Sequence, residues 1–304
     1  MAEISVHDLK KNYISVKALC GVSFEIQKQE LFGLIGPDGA GKTTLMRILC
    51  GLIAADSGSY TVCGSTENSF IKQRLGYMPQ RFALYPDLTV AENIKFFARL
   101  FSVPKKEYKT RFEELMSFSA LGPFVKRRAE NLSGGMKQKL ALCCTLIHTP
   151  QVLILDEPTT GVDAVSRIEF WEILSALTKQ NVSILVSTPY MDEALKCQRV
   201  SFIHDGHILA TDTPQNIPKL FKNHVLEWIG PDIFKRSVEV SNLSGVIAVH
   251  PFGNRLHIVT DDVGSCLHQI RTETGLDPAS FIEVTPGIED TFINLMENIS
   301  EKLK

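Results

Sequence analysis

Three short stretches carry residues able to do chemistry on a phosphate. GPDGAGKTT (36–44) fits G-x-x-x-x-G-K-[ST]. In that pattern Gly36, Pro37, Asp38, Gly39, Ala40 and Gly41 form a turn whose backbone N–H groups point inward at phosphate oxygens. The helix that follows adds its positive N-terminal end. Lys42 would reach the β- and γ-phosphates, and Thr43, followed by Thr44, would ligate Mg²⁺. VLILDEP (152–158) puts two acids at the exit of an apolar strand. Asp156 would hold magnesium through water, and Glu157 would polarise an attacking water. NLSGGMKQKL (131–140) places Ser133, Gly134 and Gly135 just before an apolar helix, which makes a second backbone anion site. One chain needs one such site for its own nucleotide, so the second points to a nucleotide held by a neighbouring subunit.

The elements that must position these groups follow from pattern. The compact run LFGLIG leads into the glycine-rich turn, and KTTLMRILCGL follows as an apolar helix. ISVHDLKKNY and VSFEIQKQ alternate with period two and read as strands. Residues 87–120 read as helical. MKQKLALCCTLI, VLILDEP, AVSRIEFWEILSAL and VSILVST then run helix, strand, helix, strand. RVSFIHDGHILATD reads as a hairpin around Asp205-Gly206. Strands alternating with helices imply a largely parallel, two-faced sheet. TDTPQNIPKLFKN (211–223) has two prolines and reads as a junction, giving domains at 1–222 and 223–304. The second reads as a small α+β module. Its last helix has Ile288, Phe292, Leu295, Met296, Ile299 and Leu303 on one face, and Glu289, Asp290, Glu297 and Glu301 on the solvated one.

Composition sets the bounds. The chain has 304 residues, 44% hydrophobic and 22% charged, enough for a buried core. A net charge of -2 argues against a dedicated nucleic-acid partner, and Lys126-Arg127-Arg128 reads as a solvated helix end. Seven cysteines without a CxxC spacing read as small core residues in a reducing compartment. The first residues, MAEISVHDLK, lack the apolar segment of a signal peptide. No apolar run approaches the ~18 residues of a spanning helix, so any membrane contact is expected from outside the bilayer.

Taken together, the motifs resemble an ATP-binding-cassette ATPase, and they occur in the family's order over residues 1 to about 220. The resemblance implies a P-loop NTPase fold of the α/β class. Its parts are a RecA-like parallel core, an antiparallel β subdomain and a helical signature subdomain. It implies that Gln80 in YMPQ is the Q-loop glutamine, acting with Lys42 and Glu157 in catalysis and with Thr43 and Asp156 at the metal. LSGGM (132–136) would be the signature and Gly161-Val162-Asp163 the D-loop. Tyr13 matches the adenine-stacking aromatic, the alternative being a strand aromatic packed in the core. Two cassettes pair head to tail in this family, so Ser133, Gly134, Gly135 and Asp163 would face ATP bound to the partner. ATP and Mg²⁺ are the implied ligands. The implied partners are a transmembrane permease and a second cassette, identical or different. Membrane contact would come only through the permease, and the location would be the cytoplasmic face of the inner or plasma membrane.

Two departures stand out. The family pattern Ser-Thr-His-Tyr-Met-Asp-Glu-Ala reads Ser187-Thr188-Pro189-Tyr190-Met191-Asp192-Glu193-Ala194 here. Proline has neither a side-chain donor nor a backbone N–H, so it cannot hold a γ-phosphate as the histidine would. Tyr190, one position on, should point elsewhere. The expectation is a weakened but active site, with a largely non-hydrolysing regulatory half of an asymmetric pair as the alternative. A soluble, non-transport cassette ATPase is a third reading. Met136 stands where the signature often has glutamine, a milder change. The tail resembles that of the drug-, ion- and polysaccharide-exporter branch, with Pro286-Gly287-Ile288-Glu289-Asp290-Thr291-Phe292 matching its end motif.

Overall fold

The computed structural model describes residues 2–81 and 84–302, with side chains up to residue 298. It contains two compact units, Met1–Pro214 and Gln215–Lys304. The division falls within the proline-bearing segment 211–223, ahead of the boundary at 222/223. The turn Ile217–Leu220 sits among the contacts of the final helix and so belongs to the second unit.

The first unit begins with strands β1 (Ala2–Tyr13) and β2 (Val16–Gln27), then β3 (Leu31–Ile35). Helix α1 (Lys42–Leu49), strand β4 (Ser57–Val62), helix α2 (Asn68–Arg74) and strand β5 (Leu75–Met78) follow. Then come α3 (Val90–Leu100), α4 (Lys105–Ser119), α5 (Gly134–Leu146), β6 (Val152–Asp156), α6 (Ala164–Thr178) and β7 (Ser183–Thr188). The short helix α7 (Met191–Ala194) and the hairpin β8 (Arg199–His204) and β9 (His207–Asp212) complete it. The hairpin turns where the sequence places it, with His204 opposite His207.

The central sheet has the order β5-β6-β7-β3-β8-β9 and is parallel except for β9. Every residue of β3, β6 and β7 is buried. A strand covered on both faces has no solvated side, which is why LFGLI and VLILD are runs rather than alternations. A second sheet, β2-β1-β4, is antiparallel and shares a core with α1. A separate core gathers Val90, Ile94, Leu121, Leu140 and Cys144 among α3, α4 and α5, with Met136 packed against it. The helical reading of 87–120 resolves into two helices, α3 and α4. Ser102 takes a φ of 55°, and Pro104 N-caps α4. The start of α3 is locked by a capping box, with Thr89 Oγ1 accepting from Glu92 N at 3.2 Å and Glu92 Oε2 from Thr89 N at 2.9 Å. Arg127 lies over the Phe124 ring and Arg128 beside Glu130, both exposed, with Arg128 the N-cap of the short helix Ala129–Asn131. All seven cysteines are free, and burial pushes the Cys143 thiol up to about 11.

The second unit contains β10 (His224–Ile229), α8 (Ile233–Ser241), β11 (Ala248–Phe252), β12 (Arg255–Thr260), α9 (Val263–Gln269), β13 (Phe281–Val284) and α10 (Ile288–Lys302). Its antiparallel sheet runs β11-β12-β10-β13. One sheet face, with Leu226, Trp228, Leu256 and Ile258, packs with residues of α8 and α9. Ile288 and Phe292 of α10 are buried and Leu295 and Met296 half-buried, as their spacing predicts. The side chain of Ile299, and Leu303 altogether, lie outside the described residues. Asp290 corrects the expectation of a solvated face, being 2% exposed. Its Oδ1 lies 2.7 Å from His257 Nδ1, and its Oδ2 accepts from Gly287 N at 2.7 Å. A charge can be buried here because it is paired on both oxygens.

That pairing sets a pH dependence. The hydrogen bond to Asp290 raises the His257 pKa above the ordinary imidazole value, against burial and with help from Glu227. Burial pushes Asp290 up, but the bonds from His257 and Gly287 outweigh it and hold the carboxyl below its usual range. His250 of β11 sits opposite His257 of β12, and Arg255 pairs with Glu227. The His257 contribution to stability is therefore full below about pH 6.5 and is lost as pH rises through the raised value. The Asp290 contribution is present above about pH 3.9 and is lost as pH falls through its lowered value. In a Trp171→Phe background, the urea midpoint reported by Trp228 fluorescence should fall between pH 6 and pH 9. His257→Gln should flatten that fall.

Candidate active site

The phosphate loop runs from the end of β3 into α1, and its shape is set by backbone contacts. Gly39 and Gly41 have φ of 81° and 103°, left-handed conformations that glycine adopts freely. A Cβ on Gly36 would lie 2.1 Å from the Ile203 carbonyl oxygen, and one on Gly41 would lie 2.3 Å from that of Ala18. The loop is therefore pressed against the β8-β9 hairpin on one side and β2 on the other. Gly206 N donates to Ala40 O at 3.1 Å, and Gly36 N to Thr188 O at 3.3 Å.

The parallel strands bring the expected residues to one end of the sheet. Lys42 is 3% exposed; its Nζ donates to Gly36 O at 2.7 Å and Pro37 O at 2.9 Å, and sits 3.1 Å from Glu157 Oε1. Thr43 Oγ1 donates to Asp156 Oδ1 at 3.1 Å. Gln80 Nε2 donates to Glu157 Oε2 at 2.8 Å. Burial raises the Asp156 carboxyl above its usual range, while bonds from Thr43 and Ser187 pull the other way. The other Asp156 oxygen, Oδ2, is buried with no hydrogen-bond partner among the described residues. A cation would satisfy that orphan oxygen. Glu157 takes a φ of 48°, a left-handed strain of the kind kept at functional positions, and its N–H is held by Ser187 Oγ at 3.0 Å.

A cleft of about 530 Å³ opens over these groups. It is lined by residues 38–44, Gln80, Glu157, Tyr13, Val16 and Ala18. Tyr13 is 47% exposed, so it is a surface ring at the cleft and not a core aromatic. A cleft of about 600 Å³ lies beside Pro150, Gln151 and Val182, where β6 and β7 begin. Ligands of open α/β sheets sit at the opposite, carboxyl ends of the strands, which is where the phosphate loop is.

Ser133, Gly134, Gly135 and Asp163 do not line the cleft of their own chain. Ser133 N-caps α5, accepting from Met136 N at 3.3 Å, and Asp163 N-caps α6, accepting from Ser166 N at 3.0 Å. The Asp163 carboxyl is held below its usual range by those bonds to Ser166. The two helix starts touch: a Cβ on Gly135 would lie 2.3 Å from Ser166 Oγ. At Pro189 no side chain enters the cleft, and the Tyr190 ring lies under the Arg167 guanidinium, 4.8 Å away, pointing elsewhere as expected. The sequence reading missed Ser187, whose hydroxyl bonds both Asp156 Oδ1 and Glu157 N. A hydroxyl within a buried strand was the available signal, since buried polar groups need partners.

The family profile described as "ABC transporter" matches residues 19–160. A Nod factor export ATP-binding protein I from Burkholderia thailandensis is 34% identical over 300 residues, covering 97% of each chain. The chain belongs to the ABC transporter ATP-binding protein family. A probable multidrug ABC transporter ATP-binding protein of Escherichia coli is 38% identical over 97% of this chain and 52% of its own length. The chain thus spans about half of that relative. The solved "ATP binding subunit of ABC transporter" matches with a TM-score of 0.65 and 26% identity, over 72% of this ABC protein and 92% of the neighbour. The P-loop NTPase fold expected from the motifs is the fold of these cassettes.

The Gly135 contact is testable. Gly135→Ala should drive the starts of α5 and α6 apart and cost about 1–3 kcal/mol in chemical unfolding, the usual price of overpacking. Adding Ser166→Gly should recover most of the loss.

Proposed function

We propose that this chain is the ATP-hydrolysing motor of an exporter, working at the cytoplasmic face of a membrane with a separate permease. The observation that carries the reading is the convergence of Lys42, Thr43, Asp156, Glu157 and Gln80 at the carboxyl ends of β3 and β6. ATP would lie with its base against Tyr13 and its phosphates on the N–H groups of residues 36–44. Lys42 would turn from its own loop carbonyls to the β- and γ-phosphates. Glu157, released from Lys42, would accept a proton from the attacking water as its oxygen bonds the γ-phosphorus and the bond to ADP breaks. Thr43, Asp156 and Gln80 would hold Mg²⁺, which neutralises charge on the transferring phosphate.

Ser133 and Gly135 point to pairing with a second cassette, because an anion-binding helix start away from its own cleft is consistent with contacting a nucleotide on a neighbour. A groove lined by Gln80, Arg81, Leu84, Pro86 and Lys137 supports a permease contact next to the Q-loop glutamine. No helix among the described residues is long and apolar enough to cross a membrane, so the path for substrate is assigned to another chain or segment.

Pro189 makes turnover slow in this reading. Loss of one positioned electrostatic contact commonly lowers a rate by about 10²–10³. The second reading, a largely non-hydrolysing regulatory half of an asymmetric pair, rests on the same proline. ATP turnover by the purified chain separates the two. Slow hydrolysis that Pro189→His accelerates at least tenfold and Glu157→Gln abolishes is the expected result. Silence of the wild type and of Pro189→His favours the regulatory reading. Rapid hydrolysis unchanged by Pro189→His removes the proline as a brake.

A further inference from the structure

The region behind Glu157 contains a second carboxylate that the reading above leaves unused. Glu193, on α7, is 2% exposed. Its Oε1 accepts from Thr159 Oγ1 at 2.8 Å and from Arg167 Nε at 3.1 Å, and its Oε2 accepts from Thr188 Oγ1. Thr159 lies two positions beyond Glu157, and Thr188 is the last residue of β7, directly before Pro189. Thr188 Oγ1 also accepts from Tyr190 N at 3.0 Å. Arg167 adds a bond to Asp192 at 2.8 Å and covers the Tyr190 ring. One buried carboxylate thus joins the loop that carries Glu157 to both flanks of the proline.

A buried charge is costly, and an apolar residue of similar volume would fill the space at lower cost. What an apolar residue could not do is fix two threonine hydroxyls and a guanidinium at once. We propose that Glu193 is a positioning residue for the hydrolytic reaction. It acts through Thr159 to hold Glu157 against the phosphate loop, a task that position 189 cannot share because proline offers no donor. Glu157 is fixed at its backbone by Ser187, and its loop is fixed two residues on by Glu193; both ties end on β7. The inference rests on the reading of Glu157 as the group that activates water.

The test is a set of kinetic cycles on the full chain. Thr159→Val removes one hydrogen bond with little change in shape, and Glu193→Gln removes the charge. Each should lower kcat about ten- to a hundredfold, the cost of a small misplacement of a reacting group. KM for ATP should stay within about twofold, because neither residue lines the cleft. The double variant should be no slower than Glu193→Gln alone. In the Pro189→His background, where a second tether is available, both losses should shrink. Thermal melts accompany each variant; Thr159→Val keeps the question open to decision if Glu193→Gln does not fold. An unchanged kcat in a folded Thr159→Val protein overturns the inference, as does a KM that rises in step with the fall in kcat. If neither wild type nor Pro189→His turns over ATP, the assignment of Glu157 itself fails, an outcome distinct from the others.

Discussion

The buried contact between Lys42 and Glu157 is the constraint on which the rest of the architecture turns. An ammonium and a carboxylate, each almost fully removed from water, sit 3.1 Å apart. Neither would be tolerated there alone, because an unpaired buried ion costs several kcal/mol. The pair therefore ties together two segments more than a hundred residues apart in sequence, and it does so across the ends of parallel strands. Asp156 adds a second acid beside the first, its charge shared with the hydroxyls of Thr43 and Ser187 and the nearby Lys42 ammonium. Such crowding of acids near one cation suits a site that handles further negative charge and a metal together.

The parallel sheet makes this possible at low conformational cost. β3, β6 and β7 are buried along their whole length and leave the sheet at the same end. Loops following such strands must converge, so the phosphate loop, the acidic pair and the Thr188-Pro189 turn meet without any long excursion of chain. The helical segment α3 to α5 has its own core, and Ser133, Gly134 and Gly135 do not line the cleft at this meeting point. In the proposed function, that division would separate binding of a chain's own nucleotide from presentation of Ser133 and Gly135 to another.

Much of this was legible in the sequence because the signals were local. The phosphate loop, the acidic strand exit and the serine-glycine helix start are each contiguous, and each shape follows from glycine freedom or strand burial. Tyr13 and Gln80 came from resemblance to the family, and both border the cleft. What the sequence hid was set by contacts between distant segments. The break between α3 and α4 hinges on Ser102, a residue with no strong preference for a left-handed backbone. Asp290 read as a solvated acid because helical spacing alone cannot reveal a histidine on a neighbouring strand. Glu193 and Arg167 carried no role in the sequence, because their partners Thr159 and Thr188 lie on distant segments that only the fold brings beside them.

The phosphate loop makes its tightest approaches to the carbonyl oxygens of its neighbours, with the side chains of Ile203 and Leu19 next to them. Ile203 and Ala18 touch Gly36 and Gly41 with their backbones, and Gly206 reaches Ala40 in the same way. The closest of these contacts are set by backbone position, so they persist through substitutions that leave the backbone of the hairpin and β2 in place. A shift in length is a different matter. Inserting or deleting one residue in the Asp205-Gly206 turn would move a whole carbonyl row, and no side-chain substitution elsewhere could restore it. The site therefore depends more on the length of its supporting hairpin than on the identity of most residues along it.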